Sequence, residues 1–199
     1  MDDREPSSAE CYYGRRRVVW GTVLLGLGLG GFFDGIVLHQ ILQWHHMVTS
    51  AGYLANTVGN LELNTLLDGL FHTSTYVMTA LGLGLLWSAT RLPHVRWSRA
   101  LLIGGLLAGW GTFNLVEGTV DHHILGLHHV KEGSANQLAW DLGFLSWGAV
   151  MLAGGLALMR AGIGRRSARR RGRRRAARRR SISKEAAGTG LLAPLTTSL

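Results

Sequence analysis

The stretch VVWGTVLLGLGLGGFFDGIVLHQ, residues 18–40, decides the fold class of this chain. Its first part, residues 18–33, carries no charge, and the whole stretch exceeds the roughly 20 helical residues that cross a bilayer core. Three further stretches have the same character, at residues 65–88, 99–120 and 136–159. A soluble bundle would carry polar residues every three or four positions, and these stretches lack that pattern. The sequence therefore predicts an all-α integral membrane protein, a four-helix bundle in contact with the lipid bilayer.

The net charge of +9 is distributed very unevenly along the chain. Residues 1–17 are neutral, residues 18–159 sum to −3, and residues 160–199 sum to +12 because they hold thirteen basic residues and one acidic residue. This distribution excludes an evenly basic nucleic-acid-binding domain. The single cysteine, Cys11, excludes a scaffold stapled by disulfides.

The C-terminal tail, residues 160–199, is too rich in arginine to bury a core, so we expect it to be disordered. Anionic lipid headgroups of the cytoplasmic leaflet are its expected partner. Residues 165–180 contain no aromatic side chain on which bases would stack, which argues against nucleic acid.

The arginines also predict the topology. Basic clusters precede the first span, separate the second from the third, and follow the fourth, whereas the other two loops hold only Lys131. By the positive-inside rule, both termini, including the N-terminal segment 1–17, lie in the cytoplasm. The loops that follow the first and third spans then face outward.

An internal repeat carries most of the histidines. Residues 33–46 read FDGIVLHQILQWHH and residues 116–129 read VEGTVDHHILGLHH, with seven identities in fourteen positions at an offset of 83. The second and fourth spans match more weakly, with Asp68 over Asp141. The chain is therefore predicted to consist of two tandem two-helix repeats that lie the same way up, so that both histidine segments share the outer face.

Eight of the nine histidines and one carboxylate from each span lie in this arrangement, and only His94 lies on the cytoplasmic side. Ionisable groups within membrane helices are costly and usually mark function, so we predict a metal site at the outer end of the bundle. Asp68 and His72 are four residues apart, a spacing that places both on one helix face for a shared ion. The first-choice ligands are His39, His72, His122 and Asp68. Further ligands, or partners that orient the ligands, are Asp34, Glu117 and Asp141. A second layer or capture site comprises His45, His46, His128 and His129, and His123 completes the predicted set.

The histidine doublets cannot join the acids along one continuous helix. Asp34 and His45 would lie about 16 Å apart along a straight α-helix. Two alternatives follow. Either the helices end near Gln43 and Gly126 and the doublets fold back, or the ligands form two separate layers.

The ligand types limit the metal and leave several functions open. Imidazoles with carboxylates suit iron, copper or zinc, and a set without cysteine and with only Met47 nearby disfavours copper(I). One hypothesis is a metal-dependent membrane oxidoreductase, an oxidase or hydroxylase, with a redox membrane partner. A second is a metal carrier or an assembly factor for a respiratory complex. A third is haem ligated by a histidine pair from facing helices.

Four segments carry a family resemblance: GFFDGIVLHQILQWHHM (31–47), NTLLDGLFH (64–72), NLVEGTVDHHILGLHHV (114–130) and NQLAWDLGF (136–144). With these motifs the chain resembles a family of small bacterial four-span membrane proteins that is catalogued as a domain of unknown function. The resemblance covers residues 18–159. It implies a multi-pass location in the bacterial plasma membrane and no particular activity.

Overall fold

The computed structural model describes residues 7–93, 95 and 97–189, and this part of the chain contains helices and loops but no strand. The helices are α1 (Ser8–Phe32), π1 (Phe33–Ile41), α2 (Val58–Thr90), α3 (Arg99–Glu117), π2 (Gly118–Ile124) and α4 (Gln137–Thr189). The two π-helices continue α1 and α3 directly and are wider than α-helices, with i→i+5 hydrogen bonds. The predicted all-α class is confirmed for the described residues.

The helices pack in the order α2, α1, α3, α4. Helix α1 packs against α2 and α3, and α3 packs against α1 and α4. Within the described residues, α2 and α4 do not pack against each other and therefore form the two flanks. Each π-helix thus comes from one of the two central helices, which brings their ends side by side.

Glycines allow the backbones of neighbouring helices to touch. A Cβ atom added at Gly21 would lie 3.0 Å from the Gly82 carbonyl oxygen, across the α1/α2 interface. A Cβ added at Gly104 would lie 2.7 Å from the Gly155 carbonyl oxygen, across the α3/α4 interface. Both distances are too short for any residue with a side chain, as expected for small residues at membrane helix contacts.

The two ends of the helices have opposite character. The core is apolar at the end of the molecule where α1 begins and α2 ends, and it contains Val18, Ala89 and Leu101. At the other end, where π1 and π2 lie, the buried side chains are mainly histidines and carboxylates. The loops 42–57 and 125–136 follow the π-helices and cover this polar end.

Three helices of the described chain are long and apolar enough to cross a membrane: Ala9–Ile41, Arg99–Ile124 and Gln137–Ile163. They coincide with the predicted spans 18–40, 99–120 and 136–159. The fourth predicted span, 65–88, lies within α2, which is not among the candidate spans. The reason is compositional, because polar residues are spread along α2, from Glu62 and Asp68 in its first half to Thr73, Ser74 and Thr75 at its middle, and lower its mean hydropathy.

The structure differs from the predicted tail. Helix α4 continues as far as Thr189, so most of the segment expected to be disordered extends the fourth helix. Arginine and alanine both have high helix propensity, which explains how a helix continues past its apolar part. Residues 1–6 of the N-terminal segment, His94, and residues 190–199 of the tail lie outside the described residues.

Candidate metal centre

The π-helices place one carboxylate and one histidine on the same helix face. Asp34 and His39 are five residues apart, as are Glu117 and His122. An α-helix with 3.6 residues per turn would direct such pairs apart, whereas the i→i+5 pattern of a π-helix stacks them. The His39 Nε2 atom lies 3.1 Å from Asp34 Oδ2, and the His122 Nε2 atom lies 2.9 Å from Glu117 Oε1.

The helices end before the histidine doublets, which then fold back over the helix ends. Of the two alternatives considered above, this is the first. The chain turns at Gln43 and Gly126, with positive φ values of 49° and 58°. These two residues lie at matched positions of the repeat, so the two doublets return to the helix ends in the same way.

The two members of each doublet have different positions. The first members, His45 and His128, are fully buried, and their imidazole rings stack with centroids 4.5 Å apart. The second members, His46 and His129, are partly exposed and remain at the rim. Only the first histidine of each doublet therefore lies near the carboxylates of Asp34 and Glu117.

The loops hold these inner histidines in a reciprocal manner. His45 donates its Nδ1–H to the Val130 carbonyl at 2.8 Å, and His128 donates its Nδ1–H to the Met47 carbonyl at 3.1 Å. Each loop therefore fixes the imidazole of the other loop.

Asp68 of α2 fixes the ligands of the first repeat from outside. Its Oδ1 atom accepts from His39 Nδ1–H at 2.9 Å and from the Met47 backbone N–H at 3.1 Å. Its Oδ2 atom accepts from His46 Nδ1–H at 2.9 Å. One carboxylate thus connects a helix histidine, the loop backbone and a rim histidine.

Asp141 of α4 makes the matching contacts in the second repeat. It accepts from the Val130 backbone N–H at 2.9 Å and from His129 Nδ1–H at 2.7 Å. The His122 Nδ1 atom lies 3.4 Å from its Oδ1 atom. Asp68 therefore orients the ring of His39 through a hydrogen bond, and Asp141 orients the ring of His129, while the Nδ1 atom of His122 faces Asp141 without a hydrogen bond.

The inner nitrogen atoms converge on two carboxylates. In the described chain, two groups of donor atoms have all members within 4.8 Å of one another: His39, His45 and His128, and Glu117, His122 and His128. Asp34 borders the first group, with Oδ1 3.9 Å from His45 Nε2. The Nε2 atom of His45 is buried without a hydrogen-bond partner, which is rare for buried polar atoms, and those of His39 and His122 face only the carboxylates of Asp34 and Glu117.

Four buried carboxylates in this region have histidines as their partners. The carboxylates of Asp34, Asp68, Glu117 and Asp141 are all buried, and within the described residues their ion-pair partners are histidines. Buried carboxylates require compensating positive charge, from protonated imidazoles or from a bound cation. This arrangement favours a site for cations.

The loop histidines differ in protonation because their surroundings differ. Burial lowers the pKa of His45 to about 3, and the neighbouring His128 acts in the same direction. Burial would also lower the pKa of His128, but its contact with the Glu117 carboxylate outweighs burial and raises that pKa. His45 is therefore neutral at pH 7, which is the form that binds a metal.

Two predicted ligands lie apart from the convergent group. His72 donates its Nδ1–H to the Asp68 backbone carbonyl at 2.7 Å, the ordinary contact of a histidine with the preceding turn of its own helix. The predicted shared ion between Asp68 and His72 therefore has no support in the geometry. His123 is exposed, although His122 beside it is buried.

Glu132 is a residue of this region that the sequence did not single out. Its carboxylate accepts from the backbone N–H of His129 at 3.1 Å and from the hydroxyl group of Ser50 in the other loop. In the first repeat, the hydroxyl of Thr49 accepts from the His46 N–H at the matched position. The sequence indicates this pair by position, since Thr49 and Glu132 each lie three residues after the second histidine of a doublet.

The chain was compared with known proteins. The family described as "Predicted membrane protein (DUF2243)" matches residues 21–162, which include α2, α3, both π-helices and both loops. No curated protein and no solved structure matches the chain.

Proposed function

The chain belongs to this family of predicted membrane proteins, and we propose that it binds one or two transition-metal ions in the convergent group of histidines and carboxylates. The proposed ligands are the Nε2 atoms of four histidines and the carboxylates of two acids: His39, His45, His122, His128, Asp34 and Glu117. One observation carries the proposal: these inner nitrogen atoms converge while the outer nitrogen atoms of the same rings face fixed acceptors.

The hydrogen bonds determine which nitrogen atoms are free to bind a metal. A carbonyl oxygen only accepts, so the proton of neutral His45 lies on Nδ1, and the lone pair lies on Nε2. His128 and His39 also donate their Nδ1–H, to the Met47 carbonyl and the Asp68 carboxylate, so Nε2 is the nitrogen atom at which a metal ion would replace a proton. Metal-binding histidines typically donate their other ring N–H to a carboxylate or backbone carbonyl in this way.

The inner contacts are explained by a cation between the donor atoms. The lone pair of His39 Nε2 faces the Asp34 carboxylate at 3.1 Å, and the lone pair of His128 Nε2 faces Glu117 at 2.9 Å. Two acceptors at these distances repel each other unless a proton or a metal ion lies between them. Ligand atoms bound about 2.0–2.2 Å from one ion lie about 3.0–3.6 Å from each other, close to the observed separations.

The surroundings favour a resident metal centre. His45 and His128 are 2% and 1% exposed, and Glu117 is 5% exposed, so release of an ion would require both loops to open. A carrier or an assembly factor for a respiratory complex would need accessible ligands for transfer. The four imidazoles and two carboxylates suit iron, copper or zinc. With a redox-active ion, the centre is that of a membrane oxidoreductase.

The geometry favours metal ions over haem. Two histidines that bind one haem iron must face each other across the macrocycle. His45 and His128 instead stack in parallel at 4.5 Å, and the space between their rings does not admit a porphyrin.

We further propose that the membrane domain is a four-span bundle of two tandem repeats in a bacterial plasma membrane, with both termini cytoplasmic and the metal centre at the outer end. The matched contacts of the two repeats and the 33-residue length of α2 support this arrangement. Single cysteines at Lys131 and at Arg91, in a Cys11→Ser chain, test the topology. We expect an impermeant maleimide to label whole cells at position 131 and to label position 91 only after the cells are opened.

The test of metal binding uses two neighbouring histidines as a matched pair. The detergent-purified protein is analysed by inductively coupled plasma mass spectrometry before and after reconstitution with iron, copper and zinc. We expect the wild type to hold at least one ion per chain, His122→Ala to lose bound metal, and His123→Ala to retain it. The proposal is wrong if the wild type binds no metal after reconstitution, or if both variants retain the wild-type content.

A further inference from the structure

We propose that the centre holds two ions of unequal coordination, and that the ion beside Asp34 keeps an open position for a small exogenous ligand such as water or an inorganic anion. This inference rests on the proposed function, since it requires that the convergent donors bind metal.

The spacing of the donor atoms indicates the number of ions. A single six-coordinate ion with bonds of about 2.1 Å holds all its ligand atoms within about 4.3 Å of each other. In the described chain, the donors instead form two groups within 4.8 Å, one with His39 and His45 and one with Glu117 and His122. His128 belongs to both groups. Six donors divided in this way fit two neighbouring ions better than one.

The second step concerns the two carboxylates. Asp34, on π1, and Glu117, the last residue of α3 before π2, lie at matched positions of the repeat, but aspartate is shorter by one methylene group. Glu117 Oε1 lies 2.9 Å from His122 Nε2 and 2.9 Å from His128 Nε2, and therefore closes its half of the centre.

Asp34 leaves its half of the centre less closed. It approaches His39 Nε2 to 3.1 Å, but its other oxygen atom remains 3.9 Å from His45 Nε2. Asp34 and His45 occupy the positions that match Glu117 and His128. Their separation of 3.9 Å exceeds the 2.9 Å of the matching pair by about one ångström. The single Nε2 lone pair of His128 binds one ion only, and its 2.9 Å contact with Glu117 assigns it to that half. An ion in the other half has Asp34, His39 and His45 as protein donors, and the wide spacing of Asp34 and His45 leaves a coordination position free.

A third observation distinguishes the two halves. The buried Nε2 atom of His72 has no hydrogen-bond partner and lies beside Gly35, the residue that follows Asp34. In the other half, Leu145 packs against Gly118, the residue that follows Glu117. At this place the packed side chain is therefore a polar imidazole in the Asp34 half, where it can support a bound ligand, and an apolar leucine in the Glu117 half.

The test uses cobalt(II) as the metal probe and azide as the ligand probe, with metal-free protein in detergent. We expect two cobalt ions per chain by mass spectrometry, bound in two separable steps, and an azide-induced change in the visible spectrum of only one of them. In Asp34→Glu, the longer side chain should close the gap, so that two ions remain and azide binding weakens about tenfold or more.

The reciprocal variant keeps the inference testable if Asp34→Glu does not fold. Glu117→Asp should open the second half, so that both cobalt ions respond to azide. One ion per chain in the wild type would overturn the inference but leave the proposed function intact, whereas no bound ion would overturn both. An azide response that is the same in the wild type and in the folded variants would overturn the open position at Asp34.

Discussion

His45 and His128 stack in parallel, with their ring planes 4° apart and their centroids 4.5 Å apart. They occupy matched positions 83 residues apart in the chain, and each donates its Nδ1–H to a backbone carbonyl of the opposite loop, at Val130 and Met47. Neither loop can therefore place its own histidine without the other. The candidate centre forms where the two repeats meet, and its geometry depends on contacts outside the set of ligands.

The outer carboxylates should control metal affinity without binding the metal. We expect Asp68→Asn and Asp141→Asn each to lower affinity about 10–100-fold while the chain stays folded. Asp68 accepts three N–H groups and Asp141 accepts two, and an asparagine amide, with one acceptor oxygen, cannot accept them all, so the imidazole rings lose their fixed orientation. Isothermal titration calorimetry of metal-free protein measures the change.

Asp121→Asn is the matched control for this experiment. Asp121 lies four residues after Glu117, and its backbone carbonyl, which the substitution retains, accepts from the Leu127 N–H at 2.8 Å. Asp121 acts on the site only through its charge, which lies near Glu117, and orients no imidazole, so we expect a smaller loss of metal affinity than in Asp141→Asn. Equal losses in Asp121→Asn and Asp141→Asn would show that the orienting role assigned to Asp141 is incorrect.

The buried neutral state of His45 predicts a specific dependence of stability on pH. Burial lowers its pKa to about 3 in the folded chain, compared with 6.5 for an ordinary histidine. Between pH 3 and pH 6.5, the unfolded chain therefore binds a proton at His45 and the folded chain does not. The contribution to stability is complete above pH 6.5 and is lost as the pH falls from 6.5 towards 3, at up to about 1.4 kcal/mol per pH unit.

A variant isolates this contribution from those of its neighbours. Asp34, His39, His122 and His128 all face His45, and the raised pKa of His128 acts with the opposite sign, since its contribution is complete below pH 6.5 and lost at higher pH. His45→Asn keeps an N–H donor but does not titrate. The Tm of metal-free wild type should fall more steeply between pH 6 and pH 5 than that of His45→Asn, and identical slopes would contradict a buried neutral His45.

Three of the four predicted spans coincide with helices that are long and apolar enough to cross a membrane, because crossing a bilayer imposes a composition that a sequence displays directly. Hydropathy alone did not show where helices stop. Helix α4 extends beyond its apolar part as far as Thr189, and the arginine and alanine of that segment have high helix propensity. Polar residues such as Asp68 in α2 serve the candidate centre and weaken the membrane signal of that helix.

The repeat predicted most of the convergent residues but not their arrangement. The spacing of five between Asp34 and His39 is uninformative on an α-helix and becomes meaningful only on a π-helix. Which histidine of the first doublet points inward depends on the positive φ of Gln43. A glutamine in the sequence does not indicate such a backbone conformation. Asp68 and His72 have a spacing suited to a shared ion, yet the local contact with the helix backbone takes the imidazole nitrogen instead.

The turn before the first doublet contains a strained residue. Gln43 has a φ of 49°, and at the matched position Gly126 has a φ of 58°. The left-handed region costs a residue with a side chain about 1–2 kcal/mol, and glycine avoids that cost. Because the Gln43 side chain is exposed, we expect Gln43→Gly to raise the free energy of unfolding by up to about 1 kcal/mol.

The reverse change at the matched position should act in the opposite direction. Gly126→Gln should lower the free energy of unfolding by about 1–2 kcal/mol. Denaturant unfolding in detergent, followed by tryptophan fluorescence, measures both variants. If the two substitutions shift stability in the same direction, the backbone strain assigned to these turns is incorrect.

The contact between α1 and α3 brings the two repeats together, and Gly109 lies at its closest point. A Cβ atom at Gly109 would overlap the carbonyl oxygen of Val23 and lie 2.9 Å from the backbone nitrogen of Leu27. We expect Gly109→Ala to lower stability by about 1–3 kcal/mol, because the backbone cannot move aside without separating the two helices.

Gly154, on α4, faces open space, so Gly154→Ala keeps the same chemical change without the overlap. Alanine there should leave stability unchanged or raise it by up to about 1 kcal/mol through helix propensity. Thermal unfolding in detergent should therefore give a Tm for Gly109→Ala several degrees below that of Gly154→Ala. Metal content should fall with it, because the candidate centre needs both repeats in register, and equal Tm values for the two variants would contradict the close packing of α1 on α3.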